Sequence, residues 1–372
     1  MRIAYIARVD AESKGVQNKI LSQIRAWSKM GLNTFLYVIG PEDKRSHWHD
    51  SSIDNLQVEY FVENYRAPLA KRYLQRSQSY AEILSDLLRK QPDLVYLRYE
   101  YCVPPLYGLI KKFQTVVEIN TNDRVEFFIY SKLYGIYNYL TRHLILSNAS
   151  GFILVTNELK AVIPKNKPSR VIANGIDLSL FPIASTQNNQ FPRLIFSGTN
   201  FSPRNTNPYP WHGVDKIFYL ASQLPECDFT IVGLSSPVSE TLPPNVTVNG
   251  LLTGKSYDVL FDGIDVAIST LALHRKKMNE ACPLKTREYL ARGLPVIIGY
   301  KDTDLVDGLP FVLRIPNEEN NIVKSVAQIR EFAYSMRGQR VPRELIAHLD
   351  VSVKEKERVA FFASIVATSR NV

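Results

Sequence analysis

Short apolar runs rich in β-branched and aromatic residues alternate with stretches of helical periodicity along nearly the whole chain, and this alternation limits the fold more than any other feature. Strands are predicted at Ile3–Ala7, Thr34–Val38, Leu94–Arg98, Thr115–Ile119 and Gly151–Val155. A second series follows at Arg193–Ser197, Asp228–Val232, Val246–Gly250, Val266–Ser269 and Pro295–Ile298. Between them lie helical stretches such as Val16–Met30, where Val16, Ile20, Ile24 and Trp27 recur at i, i+4, i+8 and i+11 and so share one face. A strand, a helix and another strand in succession form a right-handed crossover into a parallel sheet, so the fold class expected is α/β with doubly wound sheets. At about 100–200 residues per domain, 372 residues make two such domains. The polar stretch between Phe181 and Phe191, PIASTQNNQ, has no periodic apolar positions and marks the boundary, giving domains at 1–182 and 183–350. The last segment, 351–372, reads as a helix with Val359, Phe361, Phe362, Ile365 and Val366 as its apolar residues.

Composition excludes several classes. With 45% hydrophobic and 22% charged residues the chain is neither disordered nor fibrous. Cys102, Cys227 and Cys282 are far apart and odd in number, which argues against a zinc framework and a disulfide scaffold and suits a reducing cytoplasm. The opening MRIAYIARVD alternates charge and apolarity as a strand does and lacks the layout of a signal peptide. The apolar stretch from Tyr134 to Val155 is broken by Asn138, Arg142, His143 and Asn148, so no membrane span is expected. A net charge of +9 favours anionic partners. No nucleic-acid module accompanies it, and no G-x-G-x-x-G supports a dinucleotide-dependent oxidoreductase.

The segment richest in chemistry is Asn279–Val296, NEACPLKTREYLARGLPV, where a polar loop with a proline leads into a helix that stops at Gly293. A loop–helix junction presents unpaired N–H groups and the positive end of the helix dipole, which suits a phosphate, and Lys285 adds a cation. Glu280 and Glu288 are too far apart along the chain to be side-by-side acid and base. They suit hydrogen bonds to hydroxyls on either side of that phosphate, as a nucleotide sugar supplies. Near the N-terminus, Lys14–Asn18 (KGVQN) joins the first strand to the first helix, where a glycine permits close approach of a ligand.

This E-x7-E spacing, followed by an A-x-G-x-P-V strand entry, resembles the signature of the retaining GT-B glycosyltransferases of family 4, or group 1. Ala173–Asp177 with Phe181 (ANGID…F), Trp211–Ile217 (WHGVDKI) and Asp265–Ser269 (DVAIS) resemble further family segments in the expected order. The resemblance implies two Rossmann-like domains facing across a cleft, with 351–372 crossing back to the N-terminal domain. It implies an N-terminal acceptor domain and a C-terminal nucleotide-sugar domain, and transfer of a sugar from a UDP- or GDP-linked donor to a hydroxyl acceptor, with retention. It also implies that Gly15 and Val16 face the donor diphosphate. Asn120, in EINTN, stands where many relatives carry a histidine that contacts the donor sugar; a turn or cap role for it is equally open.

One departure is marked. Relatives hold the diphosphate with an arginine and a lysine in G-R-x-x-x-x-K-G, whereas this chain reads GTNFSPRNTNPYPWHG over Gly198–Gly213. Thr199 replaces the arginine and His212 the lysine. A leaving diphosphate still needs charge compensation. Arg204 and above all Lys285 are the cations placed to supply it, and His212 contributes only when protonated. The residues expected to be catalytic are thus Glu280, Lys285 and Asn120; those expected to bind the donor are Gly15, Val16, Thr199, Arg204, His212, Cys282, Pro283, Leu284 and Glu288. Asp302 and Asp304 form D-x-D without an accompanying ligand cluster, so a polar turn and metal independence are expected, with no cofactor. Arg66, Lys71, Arg72 and Arg76, interleaved with aromatics in Tyr65–Lys90, suit an anionic membrane surface, which would bring a cytoplasmic enzyme to a lipid-linked or glycan acceptor in surface polysaccharide or glycolipid assembly. Two other readings stay open: a non-catalytic GT-B scaffold of an assembly complex, and a GT-B epimerase acting on the nucleotide sugar.

Overall fold

The computed structural model describes residues 1–9, 14–48, 50, 52–53, 56–201, 209–234 and 242–370. The chain divides into two compact units, Met1–Gly175 together with Val351–Val372, and Ile176–Asp350. The division falls slightly ahead of the polar stretch at Pro182.

In unit 1 the order is β1 (Arg2–Arg8), α1 (Lys14–Lys29), β2 (Asn33–Gly40), β3 (Gln57–Val62), α2 (Leu69–Lys90), β4 (Leu94–Arg98) and α3 (Pro104–Lys112). There follow β5 (Thr115–Ile119), α4 (Asp123–Tyr130), α5 (Lys132–Asn148), β6 (Gly151–Leu154) and β7 (Ser169–Val171). The seven strands are parallel in the order β3-β2-β1-β4-β5-β6-β7. Central strands covered by helices on both faces read as continuous apolar runs, and Ile3–Ala7 in β1 are all fully buried. β3 and β7, at the two edges, escaped prediction. β3 interleaves polar and apolar residues and is only partly buried, and β7 spans three residues.

Unit 2 repeats the plan with β8 (Arg193–Phe201), α6 (Val214–Gln223), β9 (Asp228–Leu234), β10 (Val246–Asn249), α7 (Lys255–Asp258) and β11 (Val266–Ile268). It continues with β12 (Glu280–Ala281), α8 (Leu284–Ala291), β13 (Val296–Ile298), β14 (Lys301–Asp302), β15 (Val312–Arg314) and α9 (Asn321–Ser335). Its parallel sheet runs β10-β9-β8-β11-β13-β15, and β12 pairs with β14 as a separate two-stranded ladder.

The last helix, α10 (Val351–Arg370), belongs to unit 1. Phe361, Phe362 and Ile365 lie in the same core as Trp27 and Tyr96, with the Phe362 ring 5.0 Å from that of Tyr96. Gly175 makes room for the start of α10, since a Cβ there would come within 2.9 Å of the Val351 Cα. The helix also carries ions inward. Fully buried Glu118 on β5 accepts from Lys19 Nζ of α1 at 2.8 Å and from Asn120 Nδ2 at 3.0 Å, with an Arg358 guanidinium nitrogen at 3.6 Å. Arg358 also donates to Tyr96 at 2.7 Å and to Glu355 at 2.8 Å. Glu355 accepts in turn from Trp27 Nε1 at 2.7 Å and Gln23 Nε2 at 3.1 Å.

Burial alone pushes the Glu118 carboxyl up, but the charges of Lys19, Arg358 and Arg98 outweigh it and hold the group well below the ordinary carboxylate range. Its folded-state pKa is thus depressed, so its stabilisation is complete above the ordinary carboxylate range and is lost as pH falls through that range and below it. Glu118→Ala takes the carboxylate from buried Lys19 and is expected to cost about 3–5 kcal/mol, read as a lower urea midpoint at neutral pH. Glu118→Gln should flatten the acid limb of the stability profile.

Candidate functional site

In a doubly wound sheet, ligands bind beyond the carboxyl ends of the strands where the strand order reverses. In unit 2 that point lies between β8 and β11. The Trp211–Gly213 turn that opens α6 sits against the chain leaving β11, with Leu271 N–H donating to the His212 carbonyl at 3.2 Å and Ala272 N–H to that of Trp211 at 3.1 Å. Gly213 permits this approach. Its φ is +72°, and a Cβ there would meet the Leu271 and Ala272 side chains at 3.2 and 3.3 Å.

Lys285, in the first turn of α8, reaches this turn. Its Nζ lies 2.9 Å from His212 Nδ1 and 4.1 Å from the Phe196 ring centroid on β8. Burial lowers the Lys285 amine to about 7, and no charged neighbour among the described residues offsets the shift. Burial, reinforced by Lys285 and Lys276, pushes His212 well below its ordinary value, so the imidazole is neutral. An ammonium has only donors, so when Lys285 is charged Nδ1 accepts and the His212 proton sits on Nε2. Kept neutral, His212 adds no charge of its own and instead accepts from the Lys285 cation. Tyr209 and Trp211 flank the imidazole, and Lys276 Nζ lies 4.3 Å from the Trp211 ring centroid.

The start of α8 is capped by Pro283 without a side-chain hydrogen bond, and its first turn carries no acidic residue. Its orientation comes from behind. Thr286 shares hydroxyl contacts with Ser269 at 2.8 Å and Tyr300 at 2.7 Å. Fully buried Arg287 grips Asp302 with two nitrogens at 2.9 and 2.7 Å, donates to the Cys282 sulfur at 2.9 Å, and lies 3.4 Å from Asp304. The D-x-D pair is therefore an internal clamp on the helix, a stronger role than the polar turn predicted. Cys282 belongs to the same clamp.

The two glutamates differ. Glu280 stands in the short strand β12 and not in a loop, with Lys301 Nζ at 3.6 Å. Glu288, in the second turn of α8, accepts from Arg292 Nε at 3.1 Å and Nη2 at 3.0 Å, and Arg292 also holds Asp258 at 2.6 Å. Burial raises the Glu288 carboxyl above its ordinary value against the pull of Arg292. Leu284 opens the helix. Thr199 lies in β8 with its side chain outside the described set, and Arg204 is outside the described residues.

In unit 1, Gly15 is exposed and Val16 partly exposed in the first turn of α1, and Lys19 one turn on donates to Asn120 Oδ1 at 3.1 Å. Asn120 is thus pinned between Lys19 and Glu118. Lys19 was missed in the sequence because it sits on the inward face among Ile20 and Ile24. The basic surface expected on α2 is also corrected. Arg76 is buried against Glu63 at 2.7 Å and Glu100 at 3.3 Å, and Arg72 reaches Glu63 at 3.3 Å; Arg66 and Lys71 stay exposed.

No known family profile matches the chain, and no curated protein matches it. Solved structures do. Sucrose-phosphate synthase from Thermosynechococcus elongatus aligns with a TM-score of 0.68 at 15% identity over 100% of this chain and 98% of that one. A glycosyltransferase from Rickettsia africae aligns with 0.61 at 13%, over 98% of each chain. UDP-GlcNAc 2-epimerase from Neisseria meningitidis aligns with 0.58 at 13%, over 98% of this chain and 100% of that one. With its two parallel-sheet, Rossmann-like units, the chain has the fold of the GT-B glycosyltransferases. Among the described residues no cluster of metal-ligating side chains is present, and no helix is long and apolar enough to cross a membrane.

Asp302→Ala removes the main partner of a fully buried guanidinium. It is expected to destabilise the protein by about 3–5 kcal/mol, visible as a lower melting temperature.

Proposed function

We propose that the protein transfers a sugar from a nucleoside-diphosphate sugar to a hydroxyl acceptor, and that unit 2 holds the donor diphosphate at the start of α8. The Lys285–His212 contact carries this reading. The relatives resembled place a lysine where this chain has His212, and here the Lys285 amine sits on that histidine. The cation then comes from the start of α8 and reaches the turn before α6 through His212. First-turn amides of α8 with no side-chain acceptor and no competing carboxylate add N–H donors for the same phosphate.

In the reaction so proposed, the bond between the anomeric carbon and the β-phosphate oxygen breaks with its electron pair going to the phosphate. The acceptor oxygen bonds to the anomeric carbon on the same face, and the acceptor proton passes to the leaving phosphate. Retention is supported by the E-x7-E resemblance. Lys285 compensates the charge that develops on the leaving group. No metal is proposed, because both D-x-D carboxylates are engaged with Arg287. The donor base, UDP or GDP, the sugar and a glycan or lipid-linked acceptor complete the reading.

Thermal shift with a panel of nucleoside diphosphates and their sugars tests it, since a ligand that binds only the folded state raises the melting temperature. One nucleotide should stabilise the protein, and Lys285→Ala should weaken its binding by about tenfold to a hundredfold with the far-UV spectrum unchanged. No shift with any nucleotide favours the scaffold reading. Turnover of the donor without an acceptor, giving an epimerised sugar nucleotide, favours the epimerase reading. Sugar transfer should persist in excess chelator.

The pH dependence follows from the Lys285 amine. It is charged below about 7 and neutral above, so affinity for a nucleoside diphosphate should fall as pH rises through 7 and 8, and stay flat in Lys285→Met. Isothermal titration at several pH values reads this directly.

A further inference from the structure

The first half of helix α5 buries polar groups, and Ile145 and Leu146 pack inward only towards its end. Asn138 Nδ2 donates to Asp123 Oδ2 at 2.8 Å, and Arg142 grips both oxygens of Asp123 at 2.9 and 3.0 Å and donates to the Val162 carbonyl at 2.8 Å. The outward side of α5 is apolar, with Leu133 66%, Ile136 50%, Tyr139 65% and Leu140 61% exposed. Positions 133, 136 and 140 follow helical spacing and form one stripe. Isolated exposed leucines are ordinary, but a continuous stripe on one helix face is not. The helix cannot turn the stripe inward without burying apolar groups where Asp123 now meets its partners, because an unpaired buried ion is far costlier than an exposed leucine. Phe128 and Tyr130 of α4, 42% and 43% exposed, precede the stripe directly.

Charge identifies what covers it. Lys132 at the start of α5 and Arg124 in α4 are exposed. Helix α2 meets α5 through the Tyr73 and Tyr137 rings, 5.8 Å apart, and through Arg72 over the Tyr134 ring, which brings exposed Lys71 to the same neighbourhood. An apolar helix face with aromatics and a fringe of cations, on a chain of net charge +9, matches an anionic lipid surface: the side chains enter the headgroup boundary and the cations meet the phosphates. We propose that the outward face of α5, continued by α4, docks unit 1 on an anionic membrane surface. The anchor then lies on α4–α5, with Lys71 of α2 at its fringe. This inference is independent of the sugar chemistry.

Flotation with phosphatidylcholine vesicles, with and without phosphatidylglycerol, tests it. The wild-type chain should float with the anionic vesicles, less so at high salt, and stay behind with the neutral ones. Ile136→Glu with Leu140→Glu should lower binding by about tenfold or more while the melting temperature holds, because both side chains already face water. Tyr139→Trp gives a second readout that does not depend on disrupting the helix: its emission should shift to the blue when anionic vesicles are added. Failure of the wild type to float at low salt overturns the proposal, as does undiminished flotation of the double variant or an unshifted Trp. If light scattering shows a wild-type dimer that the double variant splits, without vesicle binding, a second copy covers the face and the proposal falls.

Discussion

A buried carboxylate organises unit 1. Glu118 is fully enclosed, and an isolated ion there would be untenable, so it must gather partners from wherever the chain can bring them. They come from α1, from the loop after β5 and from the last helix of the chain. The same contacts that neutralise Glu118 aim Asn120, fix Lys19 beneath the first turn of α1, and bind α10 to the domain that the chain had left at Gly175. Unit 2 has its counterpart in Arg287, whose grip on Asp302 and Cys282 sets the direction of α8 and hence the position of Lys285. In each unit a buried ion with distant partners holds the segment on which function is proposed to rest.

In the donor site proposed here, the Lys285–His212 pair would keep a cation at the diphosphate through a change of sequence. A lysine whose amine is buried loses part of its basicity, and a second cation beside it would lower it further. A neutral imidazole avoids that repulsion while offering an acceptor for the ammonium. The result is a cation poised near neutrality, ready to be fully charged by an arriving anion. A lysine at position 212 would have brought a second positive charge near Lys285 in place of an acceptor.

Several sequence expectations met the structure differently for physical reasons that no pattern reveals. Arg76 and Arg72 follow the same polar spacing as Arg66 and Lys71, yet α2 turns the first inward onto Glu63 and Glu100 and the second onto Glu63. Asp302 and Asp304 look like a surface turn until buried Arg287 is found between them. β3, β7 and β15 lack long apolar runs because edge strands are half-covered or short. In the first half of α5 the usual logic is reversed, and Leu133, Ile136 and Leu140 point to solvent because Asp123 holds Asn138 and Arg142 on the buried face.

The sequence by itself determined the alternation of strand and helix, the two-unit plan and the loop–helix junction at the start of α8. These depend on local periodicity and backbone freedom, which are written residue by residue. The tertiary structure alone decided which charges are enclosed, which carboxylates are free, that His212 is neutral, and which face of α5 meets water. Those outcomes depend on partners far apart in the chain, and the cost of burying a charge is set only once folding has brought them together.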